Sequence, residues 1–150
     1  MHKNIQDLIQ KYPIILGKLR GNQIEGEIDG WYDILDCLCE SITDDMRYTI
    51  DGDPAQYPYF LIVKEKFAVL ECQGIMIPIK DEKLREIVYN RIAAQVRLVN
   101  HLSSRICQRT GRPGVFCQNK SGLFATLDLT NPEFAKEFEP VKTNSRLYPA

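Results

Sequence analysis

Between Asp81 and Arg109 one apolar row constrains the chain more than anything else in it. Leu84, Val88, Ile92, Val96, Val99, Leu102 and Ile106 recur at steps of three or four residues, which stacks side chains along one face of a helix. The spacing predicts a single long helix from Asp81 to about Arg109. Asp81 is placed to cap its first turn, and Gly111 fits just past its end. At 150 residues, one domain is expected, with roughly 68–70% of the unfolded chain's surface buried.

Around this helix the remaining elements read in order. Ile5, Leu8, Ile9 and Tyr12 have helical spacing, ended by Pro13; residues 17–28 are polar and Gly-rich and read as loop. Asp29 suits an N-cap, and Trp31, Ile34, Leu35, Leu38, Ile42 and Met46 predict a second amphipathic helix of about four turns. Tyr59–Val63 and Phe67–Cys72 read as strands joined through Lys64-Glu65-Lys66, with Ile75–Ile79 a third strand or extended edge. Val115–Cys117 and Leu123–Leu127 predict a hairpin, and Asn131-Pro132 starts a short helix. The expected class is α+β: a small antiparallel sheet packed by two amphipathic helices, with a C-terminal β-hairpin after the long helix. Residues 1–138 are expected to form this domain, and 139–150 a polar tail.

Charge is sorted along the chain although the net charge is only −1. Gly21–Tyr57 contains ten acidic residues and one basic residue, Arg47; Ile87–Leu127 contains six Lys and Arg and no Asp or Glu. The first block gives an acidic helix face, Asp33, Asp36, Glu40, Asp44 and Asp45. The second gives Arg97, His101, Arg105 and Arg109 at four-residue steps, joined by Arg112 and Lys120. No stretch approaches the ~20 apolar residues of a membrane span. The N-terminal residues carry early charges and no small-residue cleavage pattern, so no secretory leader is expected. Five cysteines without such a leader are expected to be reduced thiols in a cytoplasmic protein.

Residues able to carry chemistry are sparse. A nucleophile needs a base and a group that orients that base. His101 is the one plausible base, and Cys107 lies six residues away, on a different side of an ideal helix. Cys37 and Cys39 also point to different faces, and Cys107 and Cys117 lack the paired spacing of a zinc site. Asp51-Gly52-Asp53 is turn chemistry without the further ligands of a calcium loop. No catalytic residue, metal or cofactor is therefore expected.

Several strings occur together: Gly30-Trp31 with Leu35 and Leu38-Cys39, Val63-Lys64-Glu65-Lys66-Phe67, Ile106–Gly114, and Thr126-Leu127. Over roughly residues 26–128 the chain resembles a family of short uncharacterised bacterial and phage proteins. In that family the long helix runs into Cys-x-x-Cys-Gly-x-Pro-Gly, then a Gly-Trp pair and a further Cys. Thr110, Leu123 and Asp128 stand near the places of the second Cys, the Trp and the later Cys. The resemblance implies a degenerate zinc knuckle and a phage or accessory-genome origin, and it supplies no activity.

The expected function is a non-enzymatic protein-binding module of the inhibitor or immunity type, its acidic face meeting a basic partner. The alternatives are a nucleic-acid-binding module using Arg97, Arg105, Arg109, Arg112 and Lys120, a zinc-knuckle remnant, and, last, a hydrolase built on His101 and Cys107.

Overall fold

The structure is a computed structural model, and it describes residues 4–19 and 24–142. Within them the α+β class holds, with two small sheets in place of one. Helices α1 (Ile5–Lys11), α2 (Tyr32–Thr49) and α3 (Glu82–Ser103) pack with a sheet of β1 (Ile24–Glu25), β2 (Ile62–Lys66) and β3 (Val69–Gln73). A second sheet, in the order β5-β4-β6, joins β4 (Val115–Asn119), β5 (Phe124–Leu127) and β6 (Phe138–Pro140), with the short α4 (Pro132–Ala135) before β6. All pairings are antiparallel except β1–β2, where Ile24 lies opposite Val63 in a short parallel contact.

The amphipathic patterns place the main core. From α2, Leu35, Leu38, Cys39, Ile42 and Met46 are buried, and from α3, Val88, Ile92 and Val99. They surround Trp31, Phe60, Val63 and Leu70 in one cluster. A smaller cluster of Cys107, Cys117, Ala125, Leu127 and Phe138 lies within the second sheet and the loop before it.

Two strand boundaries differ from the sequence expectation for one reason. Lys64-Glu65-Lys66 is strand, and the turn is the two-residue step Phe67-Ala68, with Lys66 opposite Val69. Both turn residues have positive φ, 51° and 65°. This is the tight hairpin geometry usually filled by Asn-Gly, so nothing in the sequence announces it. Tyr59 and Phe60 precede the strand: Tyr59 bridges Met76, and the Phe60 N–H donates to the Ile15 carbonyl at 3.0 Å.

The long helix starts as expected, with the Asp81 carboxylate accepting from the Leu84 N–H at 2.9 Å. It stops at Ser103, well short of Arg109. Ser103 Oγ donates back to the Asn100 carbonyl (2.6 Å) and accepts the Leu70 N–H of β3 (2.8 Å). Beyond it the backbone finds partners outside a helix. Cys107 N–H donates to the Arg112 carbonyl, Gly111 N–H to the Cys107 carbonyl and Gln108 N–H to the Thr126 carbonyl. Leu102, expected in the buried row, is exposed on the last turn of α3, and Ile106 packs on the core from the loop.

Asp29 is not the cap of α2. Residues Asp29–Trp31 form a 3-10 turn before that helix, and the Asp29 carboxylate accepts the Ile5 N–H of α1 at 2.9 Å. At the other end Glu139 and Pro140 belong to β6, and the Val141 N–H donates to the Phe116 carbonyl, so pairing runs past residue 138. Residues 143–150 of the expected tail lie outside the described residues.

The 106–108 segment is fastened to the start of α2. Trp31 Nε1 donates to the Ile106 carbonyl (2.8 Å) and the Gly30 N–H to the Gln108 carbonyl (2.8 Å). A Cβ on Gly30 would lie 2.1 Å from the Cys107 carbonyl oxygen. Gly30→Ala is therefore expected to lower the unfolding free energy by about 3 kcal/mol or more, because backbone must move to admit the methyl group; a urea midpoint close to that of the parent protein would contradict this junction. Phe67→Asn is expected to raise stability by up to about 1 kcal/mol by relieving a left-handed non-glycine residue, read as a higher melting temperature.

Candidate functional site

The acidic face of α2 is divided by the fold. Asp33, Glu40 and Asp44 lie on its exposed side, whereas Asp36 and Asp45 are half-buried. Asp36 accepts from Lys11 Nζ at 2.9 Å and from the Tyr12 hydroxyl at 2.5 Å, both on α1 or its C-terminal edge. Burial, with the Asp36 hydrogen bond and charge added, holds the Tyr12 hydroxyl well above the ordinary tyrosine range. Asp45 accepts from Gln95 Nε2 on α3 at 3.3 Å, and Asp44 faces Arg47 one turn on at 3.4 Å. Asp36, Asp44 and Asp45 thus have partners within the chain that fix or offset their charge. No ion pair joins α2 to α3 among the described residues, so the two helices do not cancel one another's charge.

The basic row is broken where the helix ends. Arg97 stays on α3 and is exposed, as is Arg105 in the turn after it. Arg109 is drawn into the fold: its Nε donates to Glu27 at 2.6 Å, and its guanidinium lies 5.2 Å from the Phe134 ring centre and 5.7 Å from that of Phe138. Arg112 pairs with Asp128 at 3.4 Å. Asp128 also accepts from the hydroxyl and N–H of Thr130, and these hydrogen bonds, more than the nearby guanidinium, hold its carboxyl below the usual range. Lys120 is exposed in the β4–β5 turn. The five cations expected to track phosphates therefore form no line; two of them brace the second sheet and its approach.

His101 is exposed on α3, while Cys107 is fully buried in the smaller core, six residues on and beyond the helix end. The geometry does not bring them together as nucleophile and base. Cys117 Sγ donates to the Ala125 carbonyl, and burial pushes its thiol up to about 11. Cys39 and Cys72 lie in the main core; burial raises both, Cys72 to about 12. Among the described residues no group of three or more His, Cys, Asp or Glu is placed to hold a metal ion, and Thr110 is exposed in the loop that follows Cys107.

Sequence reasoning missed the outward side of α3. Taking Ile87 as zero at 100° per residue, Ala94, Leu98 and Leu102 fall within about 60° of it. Ile87, Leu98 and Leu102 are 50%, 60% and 42% exposed. Arg91, at about 40°, lies within this face, and Arg97, about 80° to the other side, flanks it; both are exposed. The periodicity was legible, since these residues keep helical spacing, but the parallel buried row explained the helix by itself.

No family model matches the chain, and neither a curated protein nor a solved structure is significantly similar to it. No helix among the described residues is long and apolar enough to cross a membrane.

The thiols give a direct check. Cys37 is exposed and the other four are buried. A thiol-selective maleimide at neutral pH is expected to label Cys37 rapidly in the native protein and all five cysteines after denaturation. Fast native labelling of Cys39 or Cys72, read by peptide mass, would contradict the packing of α2 against β3.

Proposed function

We propose that this protein acts by binding another protein, with no reaction catalysed, and that the contact is made by the outward face of α3. The observation that carries this reading is the second apolar row of that helix, Ile87, Leu98 and Leu102, standing in solvent on a well-formed element. Along this face Ile87, Arg91, Ala94, Leu98 and Leu102 follow one another at three- and four-residue steps, and a face that is apolar but for one arginine has the form of a docking face. It lies on a helix whose adjoining side, through Val88, Ile92 and Val99, is locked into the core.

The acidic residues of α2 are the weaker support for the same function. Asp36 and Asp45 are bound internally, which leaves Asp33, Glu40 and Asp44 as the exposed remnant of the expected face. A nucleic-acid contact through the arginines is also less well supported. Arg109 and Arg112 serve the fold, and the exposed row beside Arg97 is aliphatic, without the aromatic platforms that single strands stack on. An inhibitor or immunity role is one way such a contact would be used.

The test uses a binding partner recovered from an extract of the source organism. Ile87→Ser and Leu98→Ser are expected to weaken that complex at least about tenfold, roughly 1.4 kcal/mol each, with the melting temperature of the free protein little changed. Tyr48→Ser, on exposed α2, is the control and is expected to have no effect. Undiminished binding by both α3 variants, with loss on Glu40→Lys and Asp44→Lys, would move the contact to α2 and refute this assignment.

A further inference from the structure

We infer that the outward face of α3 receives an acidic amphipathic helix of the partner protein. The inference rests on the protein-binding reading above and names the segment that would fill that face.

Three observations converge on this occupant. The first is shape. Ile87 and Leu102 are fifteen residues apart on one helix, a ridge of about 22 Å. Ile87, Arg91, Ala94, Leu98 and Leu102 follow it at three- and four-residue steps, and such a ridge is matched by the grooves of a second helix.

The second is charge. Arg91 stands within the ridge, Arg97 beside it and Arg105 just beyond its end. None of the three has an ion-pair partner among the described residues. No acidic residue occurs between Ile87 and Leu127, and Glu86, just before Ile87, is the nearest in sequence. An occupant with carboxylates beside its apolar row would meet these guanidinium groups, speeding encounter and setting register.

The third is what the chain itself can offer. Pairing α3 with α3 of a second copy would oppose arginine to arginine, which disfavours a symmetric dimer through this face. The exposed side of α2 has Glu40 and Asp44 but only Tyr48 and Cys37 to cover the aliphatic row. Residues 143–150 contain Arg146 and no acidic residue. A separate acidic, Leu-bearing helix satisfies both requirements together.

One helix face covers less than the roughly 800 Å² per partner of a standard interface. Affinity for an isolated helix should accordingly lie near the micromolar range.

The probe is a fluorescent synthetic peptide of about three heptads with Leu at a and d and Glu at e and g, titrated with the full chain at about 50 mM salt. Two controls accompany it: a scrambled peptide of the same composition and a version with Lys for Glu. The acidic peptide is expected to bind at least about tenfold more tightly than either control and to weaken as salt rises. Arg91→Glu with Arg97→Glu is expected to reduce its affinity at least about tenfold, with Arg91→Lys close to the parent and Glu40→Lys without effect. Circular dichroism and melting temperature report whether each variant is folded, and Leu98→Ser provides a second route to the same loss.

Equal binding of the acidic and scrambled peptides, or full affinity in the folded double charge reversal, overturns the inference. So does displacement of the peptide by a mixed-sequence DNA duplex, since that would assign the arginines to phosphates. If the peptide fails while Leu98→Ser still disrupts the recovered complex, the contact on α3 stands and its occupant is not an acidic helix. If both fail, the protein-binding reading of this face falls as well.

Discussion

The hydrogen bond from the Trp31 indole to the Ile106 carbonyl fastens the two halves of the molecule together. Trp31 is fully buried at the start of α2 and belongs to the main core, whereas Ile106 opens the loop that leads to the second sheet. A buried carbonyl without a donor is expensive, and a buried indole N–H needs an acceptor. Each group answers the need of the other. Gly30 makes the approach possible, since its missing side chain lets backbone meet backbone at Gln108.

From this junction a second set of bonds spreads inward. The Gln108 side chain accepts the Thr126 N–H and donates to the Glu27 carbonyl, and the Thr126 hydroxyl donates to the Ala68 carbonyl. The strained turn at Phe67-Ala68 is thereby gripped from the second sheet, while Ser103 and Asn100 hold the adjoining Leu70 from α3. Unfavourable backbone geometry of this kind survives only when its surroundings over-determine it. Here the hairpin is tied to two other elements through main-chain groups, so its position does not depend on the identity of its turn residues.

The same junction explains which parts of the architecture were legible. The register of α2, the start of α3 and the β4–β5 hairpin follow from local periodicity and turn composition, and the structure agrees with the sequence on each. The failures share a cause. Periodicity carries α3 through Ile106, because Ile106 keeps helical spacing, yet its carbonyl is required by Trp31, seventy-five residues away. Asp29 has every local property of an N-cap, yet its carboxylate is taken by the Ile5 N–H, twenty-four residues away. Arg109 sits in step with the cationic row until the helix ends, and then serves as a brace between Glu27 and two phenylalanine rings. In each case a long-range partner outweighed a local preference, and one chain carries no direct record of such pairings.

The early end of α3 also decides what its surface can do. A helix reaching Arg109 would present Arg97, His101, Arg105 and Arg109 in line, with the aliphatic residues between them a minor feature. Ending at Ser103, it presents Ile87, Leu98 and Leu102 with Arg91 among them and Arg97 at the margin. Stability does not account for these residues in solvent. Lys, Glu or Gln would form the helix about as well as Leu and better than Ile, and would be better hydrated. The buried row of Val88, Ile92 and Val99 already anchors the helix. The described chain covers one apolar side of this helix and leaves Ile87, Leu98 and Leu102 in solvent.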